Sequence, residues 1–207
     1  MALGAERQRL IRFAAGPERA VAPSQRGEDG GMNHADHVAL IGAGVEGAGR
    51  RWLELGAGNG EFTLALADCL GIGEITAIDL ESWALSELEG RVAARFPGIR
   101  VATVTADFTH GLPVGPFDGA LAANSLHFVA NPVPVLTAIR AALAPSGRVI
   151  VVEYDGEHGN PYVPHPISAR RLGSVLSDAG FATPRVIRRV PSRFLGAIYA
   201  AVAMPAG

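Results

Sequence analysis

An acid set just ahead of closely spaced glycines is the chain's most suggestive chemistry: Leu53-Glu54-Leu55-Gly56-Ala57-Gly58-Asn59-Gly60. Glycine lets a backbone turn tightly and lie against a ligand with no Cβ in the way. A carboxylate at Glu54 is awkward for a pyrophosphate but suits an α-ammonium or a sulfonium cation. Asp79 follows Gly60 by 19 residues at the end of a second apolar run. There its two oxygens can accept hydrogen bonds from a ribose diol.

A second glycine cluster, Gly42-Ala43-Gly44-Val45-Glu46-Gly47, fits the dinucleotide pattern G-x-G-x-x-G by letter. That fingerprint needs a helix after it, yet only residues 48–50 separate it from the next strand. The acid about 20 residues on is Asp68, inside a helical pattern rather than at a strand end. The segment reads instead as a short helix, capped by Asn33 or Asp36, that runs into a glycine-rich turn.

Groups able to move a proton lie further along. His127 is foremost, because imidazole changes charge near neutral pH; packing at a strand-to-helix corner is the plainer role for it. Glu153, Tyr154 and Asp155 end another strand, and alternation points one or two of them at the ligand edge. Any of the three could equally cap a helix. The segment 156–168 carries three prolines with Tyr162, His158 and His165. It reads as a lid or acceptor-selecting loop, or as a stiffened crossover with no substrate contact. His127, Tyr154 and Tyr162 are the catalytic candidates. Arg193 and Tyr199 could meet an acidic or phenolic acceptor, or lie at the surface and the core edge.

These residues need elements to place them. Apolar strand-like runs at 52–55, 75–78, 99–104, 117–123 and 149–152 alternate with helical periodicity. Phe62, Ala65, Leu66, Cys69 and Leu70 share one helix face; Leu85, Leu88, Val92 and Phe96 mark a helix from Ser82. Pro132, Leu136, Ile139 and Leu143 mark a third, closed by Pro145-Ser146-Gly147, and Leu172, Val175, Leu176 and Ala179 a fourth. Strands at about 184–190 and 195–203 close the chain. Their connection is too short for a parallel crossover, so one of them runs antiparallel. The expected fold is α/β: a doubly wound three-layer sandwich on a seven-stranded, mostly parallel sheet, with one antiparallel strand near the carboxyl terminus.

With Glu54 to Gly60, Asp79, Thr105-Ala106-Asp107-Phe108, Phe117-Asp118, Asn124-Ser125-Leu126-His127-Phe128 and Leu143-Ala144-Pro145-Ser146-Gly147 in this order, the chain resembles the class I S-adenosylmethionine-dependent methyltransferases. The resemblance spans residues 33–203. It implies that Glu54, Gly56, Ala57, Gly58 and Gly60 cradle the methionine and ribose of S-adenosyl-L-methionine, and that Asp79 holds the ribose hydroxyls. It implies that Leu80 packs on the adenine, and that the 105–108 segment, with Phe108, brings Asp107 to the adenine amino group. Asn124 and its neighbours would lie beside the methionine moiety and the methyl acceptor. The stretch 107–116 is short and rich in Gly and Pro, so the helix usual before the fourth strand is expected to be absent. The expected activity is methyl transfer to a small organic acceptor at oxygen, nitrogen or carbon, leaving S-adenosyl-L-homocysteine. A non-catalytic module binding the same cofactor and a nicotinamide-dependent oxidoreductase are the alternatives.

Composition supports these choices. The chain has 207 residues, 48% hydrophobic, enough for one domain with a sizeable core. All 18 basic residues are Arg, so lysine nucleophiles, Schiff bases and the phosphate-loop lysine are excluded. A net charge of -2 and the absence of an Asn/Asp-Pro-Pro-Tyr segment after the fourth strand argue against a nucleic-acid substrate. The lone Cys69, on a core face, fits a reducing cytoplasm and no thiolate metal site. His34 and His37 have no further ligand set converging on them, so no metal is expected. No apolar run approaches the roughly 18 residues of a membrane span. Residues 1–31 lack lasting periodicity and are expected to be a mobile extension before a domain at 32–207.

Overall fold

The computed structural model describes residues 10–12, 32–192 and 195–207. In chain order come β1 (Leu10–Arg12), α1 (His34–Val45), β2 (Arg51–Leu55), α2 (Glu61–Leu70), β3 (Gly73–Asp79), α3 (Ser82–Leu85), α4 (Leu88–Arg95) and β4 (Ile99–Thr105). Then come β5 (Gly111–Pro113), β6 (Phe117–Ala123), α5 (Val133–Ala142), β7 (Leu143–Tyr154), α6 (Ala169–Asp178), β8 (Arg185–Pro191) and β9 (Ala197–Ala203). The main sheet has the order β4-β3-β2-β6-β7-β9-β8. β9 alone runs opposite to the other strands of this sheet, as the short connection before it requires.

Side-chain alternation sends Leu53, Leu55, Val149, Val151 and Tyr199 to the face covered by α5 and α6. It sends Trp52, Leu121, Ile150, Val152 and Ile198 to the face covered by α1, α2 and α4. Val149, Ile150, Val151 and Val152 are all wholly buried, as a central strand covered on both faces must be. Three layers result. The chain moves outward from β2 through β3 to β4, then returns to build β6 and β7 on the other side. The crevice opens at that reversal, outside the carboxyl ends of β2 and β6.

The Gly42–Gly47 segment is structural. Asn33 and Asp36 form a reciprocal capping box at the start of α1. Gly44 lies so close to the sheet that a Cβ there would come within 2.7 Å of the Ile150 Cδ1. At the other end of α1 the Arg148 guanidinium donates to the carbonyls of Gly44 and Glu46, supplying charge and donors to a helix C-terminus.

Two local expectations change. The helix from Ser82 is split into α3 and α4, with Glu87 between them at φ -102° and ψ -9°. Leu85, Leu88 and Val92 remain buried, so two short helices satisfy the same apolar periodicity as one. No helix forms at 107–116. Instead β5 pairs antiparallel with β1, Leu10 opposite Pro113. No helix among the described residues is long and apolar enough to cross a membrane.

Candidate active site

The glycine loop is stitched to the sheet beside it. The Gly56 and Ala57 amides both donate to the Ile78 carbonyl, at 2.8 and 2.9 Å. Gly56 has φ +71°, and a Cβ there would stand 2.6 Å from the Ser125 Cβ, so glycine lets the loop after β2 touch the turn after β6. Gly58, at φ +52°, faces open space, and Gly60 introduces α2 in the same left-handed region.

Asp79, at the end of β3, accepts from the Gly58 amide through Oδ2 at 2.8 Å and from the Glu81 amide through Oδ1 at 2.9 Å. It therefore holds the loop in place, with further lone pairs available on both oxygens. Leu80 beside it is half-buried. Asp107 is drawn into its own turn. Its Oδ1 accepts from the Thr109 amide at 2.8 Å and the Thr109 hydroxyl at 2.6 Å, and its Oδ2 lies 3.4 Å from the His110 Nδ1. Phe108 is buried in the core below.

Glu54 is 1% exposed, and its Oε2 is buried with no hydrogen-bond partner. Burial pushes its carboxyl up to about 8, Asp79 adding to the shift and the Thr63 hydroxyl opposing it. Across the crevice Asn124 adopts φ +51°, and its Oδ1 is likewise buried and unpartnered. Buried polar groups are normally satisfied, so two orphan acceptors at the carboxyl ends of the paired strands β2 and β6 mark a place where a donor belongs.

The turn after β6 carries His127 on a single helical turn, Leu126–Phe128. Glu153, wholly buried near the end of β7, organises that turn. Its Oε1 accepts from the Leu126 and His127 amides at 3.0 and 3.1 Å, and its Oε2 accepts from the His127 Nδ1 at 2.7 Å. A carboxylate can only accept, so Nδ1 carries a proton, and in the neutral imidazole Nε2 keeps a lone pair. The Tyr154 ring centroid lies 6.0 Å from that of His127, and burial first, then Glu153, raises its phenol.

The other candidates divide. Asp155 is a capping group: Oδ1 accepts from the Ala169 amide at the start of α6 and Oδ2 pairs with Arg189 at 2.7 Å. Tyr162 is 47% exposed on the segment that meets His127 through the His165 amide, which donates to the His127 carbonyl at 3.0 Å. Tyr199 does not face an acceptor. It is wholly buried and donates to the Ile167 carbonyl at 2.7 Å. Arg193 lies outside the described residues. Cys69 is half-buried, its thiol pushed up to about 11 by burial and then by Asp68. His34 pairs with Asp68 at 2.8 Å, and no group of three or more His, Cys, Asp or Glu among the described residues is placed to hold a metal ion.

A family profile described as "Methyltransferase domain" matches residues 53–147, from Glu54's strand through the turn of His127. That stretch of the chain matches a methyltransferase domain. The CcbJ methyltransferase of Streptomyces caelestis superposes on this chain with a TM-score of 0.67 at 18% identity, covering 88% of this chain and 100% of the other. The YcgJ protein of Bacillus subtilis gives 0.64 at 14% identity, covering 84% and 100%. The mitomycin 7-O-methyltransferase MmcR gives 0.60 at 18% identity, over 81% of this chain and 53% of its own. A curated relative, the hybrid PKS-NRPS synthetase lepA of Aspergillus flavus, is 28% identical over 110 residues. That match spans 51% of this chain and 3% of the synthetase.

The crevice suits the cofactor of such a domain in kind. An acid with no cation among the described residues, an orphan amide oxygen and an unobstructed glycine suit an α-ammonium and a ribose. Sequence reasoning did not single out the Glu153–His127 pairing or Thr63. The available signal was an acid closing an otherwise apolar strand, Val149-Ile150-Val151-Val152-Glu153.

Proposed function

We propose that this protein moves the methyl group of S-adenosyl-L-methionine to an oxygen, nitrogen or carbon atom of a small organic acceptor. When bound, that cofactor supplies a methyl already activated as a sulfonium, so the protein's task is positioning and, where the acceptor carries a proton, its removal. Glu54, Asn124 and the Gly56–Gly60 loop would hold the methionine end, and Asp79 the ribose. Leu80, Asp107 and Phe108 would bound the adenine. His127, oriented by Glu153, would take the acceptor proton at Nε2, with Tyr154 beside it and Tyr162 on the loop that selects the acceptor.

The observation that carries this reading is the juxtaposition of two chemistries at one crevice. Orphan acceptors lie at Glu54 near the carboxyl end of β2 and at Asn124 just after β6, and the His127–Glu153 pair begins three residues past Asn124. Residues 32–207 would form the catalytic domain, and a cytoplasmic setting suits its lone, unreactive thiol. Calorimetry with S-adenosylmethionine and S-adenosylhomocysteine tests the cofactor, and methyl transfer to a panel of phenols, amines and quinol precursors tests the acceptor. Sub-millimolar binding lost in Asp79→Ala supports the assignment. Preference for NAD(H) overturns it, and cofactor binding with no transfer to any class leaves a binding module instead.

A further inference from the structure

Among the described residues, Glu54 is set where an ionised carboxylate has no cationic partner. It is 1% exposed and its Oε2 has no hydrogen-bond partner, and the neighbour that favours its charged form is the neutral, buried Thr63 hydroxyl. The charged groups of the surrounding elements give it no cation. On β3, Asp79 adds negative charge. On β6, Asp118 is occupied by the Arg51 amide at the far end of the strand. On α2, Asp68 pairs with His34 of α1 and Glu61 with Arg91 of α4, whose guanidinium also reaches the Asn59 carbonyl. On α1, Asp36 is held by its own cap, and His37 packs edge-on against Phe62 with its imidazole shifted toward the neutral form by burial.

A carboxylate cannot stay ionised in such a place without a counter-charge. We infer that Glu54 stands as the neutral acid in the ligand-free site and gives up its proton when an α-ammonium arrives, so that cofactor capture is coupled to proton release. This rests on the cofactor reading above. In the step, the O–H bond of the Glu54 carboxyl breaks and the proton passes to water. The ligand's ammonium keeps its own protons and becomes the counter-ion, so the buried site stays neutral. Burial that pushes the carboxyl up to about 8 places the coupling across neutral pH.

The test is calorimetry on the full chain with S-adenosylhomocysteine, which carries the α-ammonium but no sulfonium. Binding heats are compared in buffers of low and high ionisation enthalpy. About 0.9 proton should be released per ligand at pH 7, and affinity should rise nearly tenfold per pH unit from pH 5.5 to 7, then level off above pH 8. Thr63→Val keeps Glu54 and should keep the release; Glu54→Gln should abolish it. Binding with equal observed heats in the two buffers and a flat pH profile overturns this inference alone. No binding at any pH overturns the cofactor reading and takes this inference with it.

Discussion

Glu153 is the most instructive residue to change, because its one carboxylate satisfies three donors at the heart of the proposed acceptor side. The Leu126 amide, the His127 amide and the His127 Nδ1 approach it at 3.0, 3.1 and 2.7 Å, all beneath a surface that exposes His127 by only 3%. Glu153→Ala leaves these donors in a space closed to water. An abandoned buried donor costs about 1–3 kcal/mol, and losing one partner of a buried pair about 3–5 kcal/mol. The expected loss is therefore about 4 kcal/mol, a shift of about 2 M in the urea midpoint at a slope near 2 kcal/mol/M. Glu153→Gln separates structure from chemistry. Its amide oxygen can still accept from the two backbone amides, but its NH2 then faces the ring. The ring must accept at Nδ1, which moves the proton to Nε2 and removes the lone pair that would act on the acceptor. This variant should lose only about 1–2 kcal/mol, bind S-adenosylhomocysteine within twofold of the parent, and lose about 100-fold or more in transfer to a protic acceptor. A loss below about 1 kcal/mol in Glu153→Ala, or full transfer by Glu153→Gln, would refute the reasoning.

Three further outcomes concern the cofactor side. Asp79→Ala removes the acceptor for the Gly58 and Glu81 amides and should weaken S-adenosylmethionine binding by about 30-fold or more while costing about 1–2 kcal/mol of stability; calorimetry and urea melts report both. Gly58→Ala meets no atom within 4 Å but sits at φ +52°, so it should cost about 1 kcal/mol in folding yet reduce ligand affinity at least tenfold, and unchanged affinity would mean that the open space is not the ligand's. For Glu54 the folded carboxyl is raised from 4.5 to about 8. The native state then binds more protons than the unfolded chain between those values, so ligand-free stability should fall as pH rises from about 4.5 to 8, by up to about 4–5 kcal/mol. Glu54→Gln should remove that fall, and parallel pH profiles for the two proteins would contradict the burial argument.

What could be read without coordinates depends on which forces act locally. The decoy at Gly42–Gly47 was separable from the ligand loop at Gly56–Gly60 because the distinction lies in the element after each cluster, and helix caps and strand runs are local features. The antiparallel β9 was readable from loop length alone. The division of the Ser82 helix was not, since buried Leu85, Leu88 and Val92 satisfy either arrangement. Nor was the Glu153–His127 bond: alternation says that Glu153 points away from Val152, but only the fold brings the turn after β6 back over it. Tyr199 shows the same limit from the other side, an aromatic alcohol whose partner, the Ile167 carbonyl, lies 32 residues away.

The missing lysines acquire a physical meaning at this site. Among the described residues no arginine forms an ion pair with Glu54 or Asp79, although Arg51 and Arg91 flank the same elements. Arg51 is directed to Glu74, and Arg91 to Glu61 and the Asn59 carbonyl. Asp79 is balanced by backbone amides, which neutralise nothing but orient the loop; Glu54 is balanced by nothing. A lysine on α2 or β3 could have reached these carboxylates and would have stabilised the empty protein while competing with a cationic ligand. Leaving Glu54 without a cation costs stability in the ligand-free state, and the same feature makes binding of an ammonium the event that relieves the cost. On this argument an engineered cation is the sharpest contrast. Thr63→Lys, placed beside Glu54, should raise the ligand-free urea midpoint at pH 8 if the side chain is accommodated, and should lower S-adenosylhomocysteine affinity by about 100-fold or more. A variant that folds more stably and still binds the ligand as tightly as the parent would show that Glu54 is not the counter-charge.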